Sequence, residues 1–182
     1  MTSLDHAEDA LRDLQVPTLG VVLLGCGTVG SQVARMILEQ EDDLTSRIGA
    51  RLELLGIGVR DASRPRPGLD ASLFTTDIDD LVTREAVDIV IEVVGGIEPV
   101  KDWLLSAITH GASVVTANKA LIAAHGAELT EAAVASGVDL HYEAAVAGAI
   151  PIVRPLRESL VGDQITRVMG IVNGTTLSLI HI

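Results

Sequence analysis

From Thr18 onward in this 182-residue chain, apolar residues follow two distinct patterns of spacing. Short runs of Val, Leu and Ile between Gly or polar residues indicate buried strands, whereas apolar residues three or four positions apart indicate helices. The pattern predicts strands at 19–24, 52–59, 88–94, 112–116 and 138–143, and helices at 28–40, 77–82, 98–110, 119–124 and 127–136. Strands that alternate with helices are typical of βαβ units, so we expect a doubly wound parallel α/β sheet that is complete near residue 147.

Two segments flank this predicted sheet. Residues 1–16 are acidic with a weak helical pattern, and we interpret them as an N-terminal extension that Pro17 closes. After residue 147, a helix is predicted at 151–160, with Pro151 in its first turn, and a strand at 164–172. Residues 148–176 are therefore expected to be the incomplete start of a second, α+β domain.

Composition and charge narrow the classes of function. Hydrophobic residues make up 48% of the chain but aromatic residues only 2%, so aliphatic side chains must build the core, as in a buried parallel sheet. The net charge of −12 argues against nucleic-acid and anionic-membrane partners, which need a basic face. The single cysteine excludes an internal disulfide framework. No apolar run is long enough to span a membrane and the N-terminus lacks the basic start of a signal peptide, so we expect a soluble cytoplasmic protein.

The loop between the first strand and the first helix has the pattern G-x-G-x-x-G and consists of Gly25, Cys26, Gly27, Thr28, Val29 and Gly30. In dinucleotide-binding loops the first glycine permits the turn, the second lets the backbone approach a pyrophosphate, and the third lets helix and strand pack closely. The helix N-terminus offers its N–H groups to the phosphates. We therefore predict a Rossmann-like, NAD(P)-binding domain over residues 17–147, with a purely structural glycine-rich turn as the alternative. Cys26 is interpreted as a small space-filling residue, with a pKa that the helix N-terminus can lower.

The end of the second predicted strand bears on the choice between NAD and NADP. An acidic residue there accepts hydrogen bonds from the ribose 2′-OH, whereas an arginine pairs with a 2′-phosphate. Arg60 directly follows the strand and favours NADP, while Asp61 leaves NAD possible. Because Arg64 and Arg66 follow in a proline-rich stretch, a solvated polar loop is the remaining alternative.

Four later segments resemble the homoserine dehydrogenase family: IEVVGG at 91–96, VVTANK at 114–119, EAAVAGAIPI at 143–152 and NGTT at 173–176. Their order and spacing also match, so the resemblance covers residues 18–176. It implies an NAD(P)-dependent oxidoreductase that interconverts L-aspartate 4-semialdehyde and L-homoserine in threonine, methionine and isoleucine biosynthesis. It also implies a homodimer or larger assembly, with most of the interface outside this chain.

The resemblance places cofactor contacts at two strand ends. Val94, Gly95 and Gly96 end a central strand, where small residues let the nicotinamide ribose approach the backbone. Thr116 and Lys119 end the next strand, at the carboxyl edge where ligands bind in this fold class. We expect Thr116 and Lys119 to contact the cofactor, and Lys119 to be catalytic by holding the substrate or assisting proton transfer. A lysine at a helix start that faces only solvent is the alternative.

Two further sites are implied by the same resemblance. A monovalent cation such as sodium is expected to bind Glu143 and the main-chain oxygens of Val146, Gly148 and Ile150. The alternative is that Glu143 pairs with a neighbour at a domain boundary. The amino-acid substrate is expected to contact Asn173, Gly174, Thr175 and Thr176, which are equally compatible with an ordinary turn and N-cap.

The hexapeptide LSLIHI at 177–182 departs from the family pattern. Homoserine dehydrogenases continue here with an aromatic residue and a helix, and then with a sheet, further acidic residues and a second catalytic lysine. LSLIHI is instead what the codons CTG-TCT-CTT-ATA-CAC-ATC encode, a string that matches a transposon-end adapter of sequencing libraries. We interpret residues 177–182 as a non-native tail, and we expect this fragment alone to be inactive.

Two other functions stay open at this point. Another amino-acid-pathway dehydrogenase would share the nucleotide domain, although the segments VVTANK and AGAIP argue against it. A non-catalytic dinucleotide-binding module is the second alternative, because the catalytic half is absent from the sequence. Cofactor binding without turnover is expected of such a module and also of a truncated enzyme.

Overall fold

The sheet has six strands in the computed structural model, which describes residues 16–148 and 150–170. The strands are β1 (Thr18–Leu24), β2 (Arg51–Gly58), β3 (Phe74–Thr75), β4 (Ile89–Glu92), β5 (Ser113–Thr116) and β6 (Leu140–His141). They lie in the order β3-β2-β1-β4-β5-β6, and every neighbouring pair is parallel. The doubly wound α/β sheet expected from the sequence is confirmed. The strand order reverses between β1 and β4, and ligands bind at such a reversal point in this fold class.

Five α-helices cover the two faces of the sheet in the described residues: α1 (Thr28–Glu39), α2 (Glu41–Ile48), α3 (Ile78–Val82), α4 (Val100–Thr109) and α5 (Lys119–Ser136). Alternate residues of β1 point to opposite faces, so Val21 and Leu23 pack with α1 while Val22 and Leu24 pack with α3, α4 and α5. Each fully buried Val or Leu contributes about 1.5–3 kcal/mol of transfer free energy. The sheet is therefore rigidly held on both sides, and its carboxyl edge is a stable platform for a site.

Two elements among the first eighty residues, α2 and β3, were not predicted from the sequence. α2 contains no buried residue, so it lacks the apolar periodicity that signals a helix. Its first turn instead carries Glu41, Asp42 and Asp43, and acidic residues there stabilise a helix through its dipole. β3 is only two residues long and gives no periodic signal.

Two predictions near α5 were wrong in detail. The helices predicted at 119–124 and 127–136 form one continuous helix, because Gly126 is tolerated in its interior without a break. The strand predicted at 138–143 shrinks to Leu140–His141, after which Glu143–Ala145 forms a 3-10 turn. Glu143 therefore follows the sheet and is not part of a strand.

The chain after residue 150 also differs from expectation. In place of the helix predicted at 151–160, the structure has a short helical turn with a π-helical segment at Pro155–Ser159. Residues 164–170 of the strand predicted at 164–172 pair with no strand, and Val168 and Met169 are exposed there. A strand is stable only against a neighbouring strand, and no neighbour is present among the described residues. The extension at 1–15, the substrate residues at 173–176 and the tail at 177–182 lie outside the described residues.

None of the described helices is both long enough and apolar enough to cross a bilayer.

Candidate functional site

Three strand ends meet at the carboxyl edge of the sheet, at the reversal point. Leu24, Glu92 and Thr116 lie in one row across β1, β4 and β5. The next residues continue the pairing, since Val93 N donates to Leu24 O at 2.9 Å and Ala117 N donates to Glu92 O at 3.1 Å. The structure therefore brings three predicted site segments together: the loop at 25–30, the turn at 94–96 and the helix start at 116–119.

At each of the three glycines of the 25–30 loop, a different feature of the geometry explains why glycine is present. Gly25 is buried with a φ of 97°, in the left-handed region that favours glycine, and its N–H donates to Gly58 O at 2.9 Å. A Cβ atom on Gly30 would lie 2.1 Å from Gly25 O, so no larger residue fits there. A Cβ on Gly27 would meet no atom within 4 Å and would project into open space in front of α1. These three environments match the three roles expected of the motif.

The N-terminus of α1 is suited to an anion. Gly27 provides no side-chain cap, and the first turn contains no acidic residue. By contrast, Asn118 caps α5 and Asp77 caps α3 through side-chain oxygens. Thr28 and Val29 are exposed at the start of α1. An uncapped helix start beside a glycine with open space is a cradle for a pyrophosphate, so the residues fit a dinucleotide.

Cys26 packs against the apolar cluster beneath α1 and is only partly accessible. Burial raises the pKa of its thiol, an effect that the charges of Arg66 and Arg35 partly offset. The lowering that a helix N-terminus can cause is not the net outcome here, because loss of hydration outweighs the nearby positive charge. The interpretation of Cys26 as a space-filling residue agrees with this packing.

The loop after β2 is held together by its own side chains. Asp61 Oδ1 accepts hydrogen bonds from Ser63 N at 2.9 Å and from Ser63 Oγ at 2.6 Å, and the bond from the Ser63 hydroxyl is the main reason that the pKa of Asp61 is lowered. The Arg66 guanidinium lies 4.6 Å from the centre of the Phe74 ring and donates to the main-chain oxygens of Asp61 and Arg64. Arg60, directly after the strand, is exposed. Arg60 and Asp61 are therefore both exposed at this strand end, and one carboxylate oxygen of Asp61 is engaged by Ser63 within the loop.

A buried polar network joins the ends of β4 and β5. Glu92 is fully buried, and its Oε1 accepts hydrogen bonds from Val94 N at 2.8 Å and Gly95 N at 2.9 Å. Its Oε2 accepts a hydrogen bond from the hydroxyl of Thr116 at 2.5 Å. That hydroxyl in turn accepts from Asn118 N at 3.0 Å. The side chain of Thr116 is therefore engaged inside the protein, beneath the predicted cofactor crevice.

Lys119 is the first residue of α5 and is exposed at the carboxyl edge. Asn118, just before it, fixes this helix start, because its Oδ1 accepts from Leu121 N at 3.1 Å and its Nδ2 donates to Gly96 O at 2.5 Å. The backbone that carries Lys119 is therefore tied to the turn that contains Gly95 and Gly96. This arrangement is compatible with a lysine at the mouth of the crevice.

Glu143 has a defined structural role in this chain. Its Oε1 accepts from Ile152 N at 2.6 Å and Val153 N at 3.0 Å, and its Oε2 accepts from Arg154 N at 2.7 Å. These backbone bonds, that from Ile152 first, lower the pKa of Glu143. The carboxylate therefore anchors the helical turn that follows, as the alternative of local pairing anticipated.

The other residues predicted to bind a cation lie in the turn after Glu143. Ala147 has a φ of 55° and Gly148 a φ of 62°, so two consecutive residues adopt left-handed conformations. Among the residues that the structure describes, no group of three His, Cys, Asp or Glu side chains forms a metal site. A site built from main-chain oxygens is a different arrangement, which this observation does not address.

Sequence reasoning gave no role to Glu92 or Asn118, although both stand in segments that carried the family resemblance. A signal for Glu92 was present, since a carboxylate within the apolar run IVIEVV must be buried with hydrogen-bond partners. The link to the neighbouring strand was not visible, because Thr116, the one distant partner of Glu92, lies 24 residues further along the chain.

Comparisons with known proteins agree with this geometry. Residues 25–143 match the family model described as the NAD-binding domain of homoserine dehydrogenase. The homoserine dehydrogenase of Corynebacterium glutamicum is 60% identical over 158 residues, which make up 87% of this chain and 36% of that relative. The chain thus spans about a third of the length of the curated relatives it matches.

Solved structures give the same assignment. The crystal structure of a homoserine dehydrogenase from Thiobacillus denitrificans matches with a TM-score of 0.73 and 40% identity, over 81% of this chain and 34% of that one. A hyperthermophilic archaeal homoserine dehydrogenase in complex with NADPH shares the fold, with a TM-score of 0.64 at 23% identity over 80% of this chain and 50% of that one. The chain belongs to the homoserine dehydrogenase family, and it contains the NAD-binding domain of that family.

Proposed function

We propose that the chain is the nucleotide-binding part of a homoserine dehydrogenase that reduces L-aspartate 4-semialdehyde to L-homoserine with NADPH. The observation that carries the proposal is the cradle at the reversal point. There Gly27 stands before open space, Gly30 leaves room for no side chain, and α1 begins without a cap or an acidic residue. A helix start of this kind binds the pyrophosphate of a dinucleotide through its backbone N–H groups.

The loop after β2 supports NADP over NAD. NAD is selected by a carboxylate that accepts from the ribose 2′-OH, and one oxygen of the exposed Asp61 carboxylate, Oδ1, already accepts two hydrogen bonds from Ser63. Arg60 is exposed at the same strand end, where its guanidinium can pair with a 2′-phosphate through two parallel hydrogen bonds.

The crevice beside β4 and β5 is proposed to hold the reacting groups. When bound, NADPH supplies the hydride that reduces the aldehyde carbon. The turn at Val94, Gly95 and Gly96 has exposed backbone where the nicotinamide ribose is proposed to lie. Lys119 is proposed as the catalytic residue, which stabilises the forming alkoxide and helps to deliver its proton. The protein contributes positioning and charge, and the cofactor carries the redox chemistry.

A monovalent cation such as sodium is proposed to bind at the turn after Glu143, through the main-chain oxygens of Val146, Gly148 and Ile150. The support is the tight left-handed backbone at Ala147 and Gly148, which can bring successive carbonyl oxygens towards one point. The carboxylate of Glu143 already accepts three N–H groups, so we propose that it shapes this turn, with a direct contact to the ion as its second role. We expect NaCl to stabilise the folded chain. Choline chloride at the same concentration should not reproduce this stabilisation.

Three further expectations accompany the proposal. Asn173 to Thr176 are proposed to bind the amino-acid substrate, and the complete enzyme is proposed to be a homodimer or larger. The cytoplasmic location stays a prediction.

The proposed activity can be tested with a chimera. The chain replaces the matching segment of the Corynebacterium glutamicum homoserine dehydrogenase, which is 60% identical to it. We expect the chimera to oxidise NADPH only when aspartate semialdehyde is added. We expect Lys119→Met to lose at least about a hundredfold in kcat while it retains NADPH binding. The matched control is Lys101→Met, which removes a lysine of α4 that pairs with Glu98. A chimera that binds NADPH without turnover would favour a non-catalytic module.

A further inference from the structure

We propose that Glu92 is a positioning residue that couples the turn at 94–96 to the start of α5 and thereby sets the affinity for the nicotinamide half of the dinucleotide. This inference rests on the proposed function, because it assumes that a dinucleotide lies along this edge of the sheet. Glu92 would act through the backbone segments that it holds and would not itself touch the cofactor.

The burial of Glu92 requires an explanation. Its side chain is fully buried in a central strand, where an ionised carboxylate is costly unless hydrogen bonds compensate for lost hydration. Three donors provide that compensation: Val94 N, Gly95 N and the Thr116 hydroxyl. In the part of the chain that the structure describes, no cation forms an ion pair with Glu92. An apolar residue in this place would leave Val94 N, Gly95 N and the Thr116 hydroxyl without this acceptor, so the carboxylate links these groups as well as filling space.

One carboxylate oxygen fixes the turn after β4. Both N–H groups that it binds belong to residues directly beyond the strand, so the chain is forced to curl over the end of β4. Gly95 and Gly96 then follow with φ values of 75° and 87°, a conformation that glycine tolerates without strain. At the other end of this turn, Gly96 O accepts from the Asn118 side chain. The turn is therefore held from both sides.

The other carboxylate oxygen fixes the start of α5. Its bond orients the Thr116 hydroxyl so that the same oxygen can accept from Asn118 N. Asn118 then caps α5 and reaches back to Gly96. The result is a closed set of hydrogen bonds that begins and ends at the 94–96 turn and contains the backbone just before Lys119. A change at Glu92 reaches both segments, because its two carboxylate oxygens hold one end of each.

The 25–30 loop is held differently. Gly25 N donates to Gly58 O, and Ser31 N donates to Gly27 O, so its hydrogen bonds go to β2 and to α1. None of its described hydrogen bonds involves the Glu92 side chain. Loss of the network should therefore weaken contacts made at 94–96 while it leaves the pyrophosphate cradle in place.

The test compares two ligands on the full 182-residue chain by titration calorimetry. NADPH contains the nicotinamide, and 2′-phospho-ADP-ribose lacks it. We expect Glu92→Gln to weaken NADPH binding about tenfold, the factor that accompanies loss of one hydrogen bond to a charged group. The affinity for 2′-phospho-ADP-ribose should stay within about twofold. Glu53→Gln is the matched control, because it neutralises an exposed carboxylate on β2.

Two variants at Thr116 keep the test decisive if Glu92→Gln does not fold. Thr116→Val removes the hydroxyl with little change of shape and should reproduce the selective loss, whereas Thr116→Ser keeps the hydroxyl and should bind NADPH like the original chain. Equal weakening of both ligands, or unchanged binding of both, would overturn the inference. If the original chain binds neither ligand, the proposed function itself is wrong and the inference falls with it.

Discussion

Gly30 lies so close to Gly25 that a Cβ atom on Gly30 would be 2.1 Å from the carbonyl oxygen of Gly25 and 3.2 Å from Cγ2 of Val93. These two groups follow the ends of two different strands, β1 and β4, so Gly30 sets how closely α1 approaches the sheet. Gly27, three residues earlier, has no atom within 4 Å of its Cβ position. Gly30 is therefore required for packing in the fold, whereas Gly27 leaves space for binding.

Alanine at these two positions should have opposite consequences. Gly30→Ala introduces a clash with backbone that cannot move freely, and we expect a loss of at least about 1–3 kcal/mol in the free energy of unfolding. Gly27→Ala should leave the melting temperature nearly unchanged but weaken NADPH binding at least about tenfold, because the methyl group occupies the space in front of α1. Thermal unfolding and an NADPH titration measure both effects. Equal destabilisation by the two variants would contradict this account of the loop.

Arg60 should determine the preference for NADP. Arg60→Ala removes the guanidinium that we propose to pair with the 2′-phosphate, so the affinity for NADPH should fall about tenfold while that for NADH is unchanged. Arg84→Ala is the matched control, since Arg84 pairs with Asp80 near the end of α3. Titration of each variant with both nucleotides checks the prediction. An equal fall in the affinities for NADPH and NADH would indicate that Arg60 supports the structure of the loop and does not pair with the 2′-phosphate.

The sequence predicted the sheet well because its strands are short apolar runs that are buried on both faces. β1 is the clearest case, with Val21, Val22, Leu23 and Leu24 all buried. α2 could not be found in the same way, since it buries nothing and is stabilised by charges at its first turn. The extent of β6 was overestimated because Val138 and Tyr142, the other apolar residues of the run at 138–143, pack against the core from outside the strand.

The site was predicted less completely than the fold. The motif located the 25–30 loop, because the roles of its glycines follow from backbone geometry alone. The link between Glu92 and Thr116 depends on which strands become neighbours, and single-sequence periodicity does not determine that order. The direction in which the pKa of Cys26 is shifted could not be predicted for a related reason, since the burial that raises this pKa depends on packing from other elements.

Glu143 should make the helical turn at 152–154 sensitive to pH. The pKa of Glu143 in the folded chain lies below its ordinary value of 4.5, so its ionised form stabilises the turn above about that pH, and the stabilisation disappears as the pH falls through the lowered pKa. Hydrogen exchange at the amides of Ile152, Val153 and Arg154, corrected for intrinsic rates, should show protection that is lost on acidification. Glu143→Gln should reduce protection and remove its pH dependence.

The control for this effect is Glu158→Gln, which removes the pairing between Arg154 and Glu158 in the same turn but leaves the bonds to Glu143 intact. In the Glu158→Gln variant, protection of the amides of Ile152, Val153 and Arg154 should keep the pH dependence of the original chain. Protection that increases as the pH falls below 4.5 would contradict the proposed role of the carboxylate.

Cys26 should react slowly with alkylating reagents. Burial raises the pKa of its thiol above the ordinary value of 9.0, so little thiolate is present at neutral pH. We expect iodoacetamide to modify the folded chain more slowly than the same chain unfolded in urea, and bound NADPH to slow the reaction further. Mass spectrometry follows the single modification. A folded chain that reacts faster than the unfolded one would show an activated thiolate instead.

The most direct test of the central claim is a calorimetric titration of the 182-residue chain with NADPH and, separately, with NADH. The geometry at the carboxyl edge of β1 and β4 predicts saturable binding of one NADPH per chain and weaker binding of NADH. It also predicts NADPH binding that is at least about tenfold weaker in the folded Gly27→Ala variant. Absence of saturable NADPH binding by the folded chain, or binding that Gly27→Ala leaves unchanged, would contradict the assignment of this edge as the dinucleotide site.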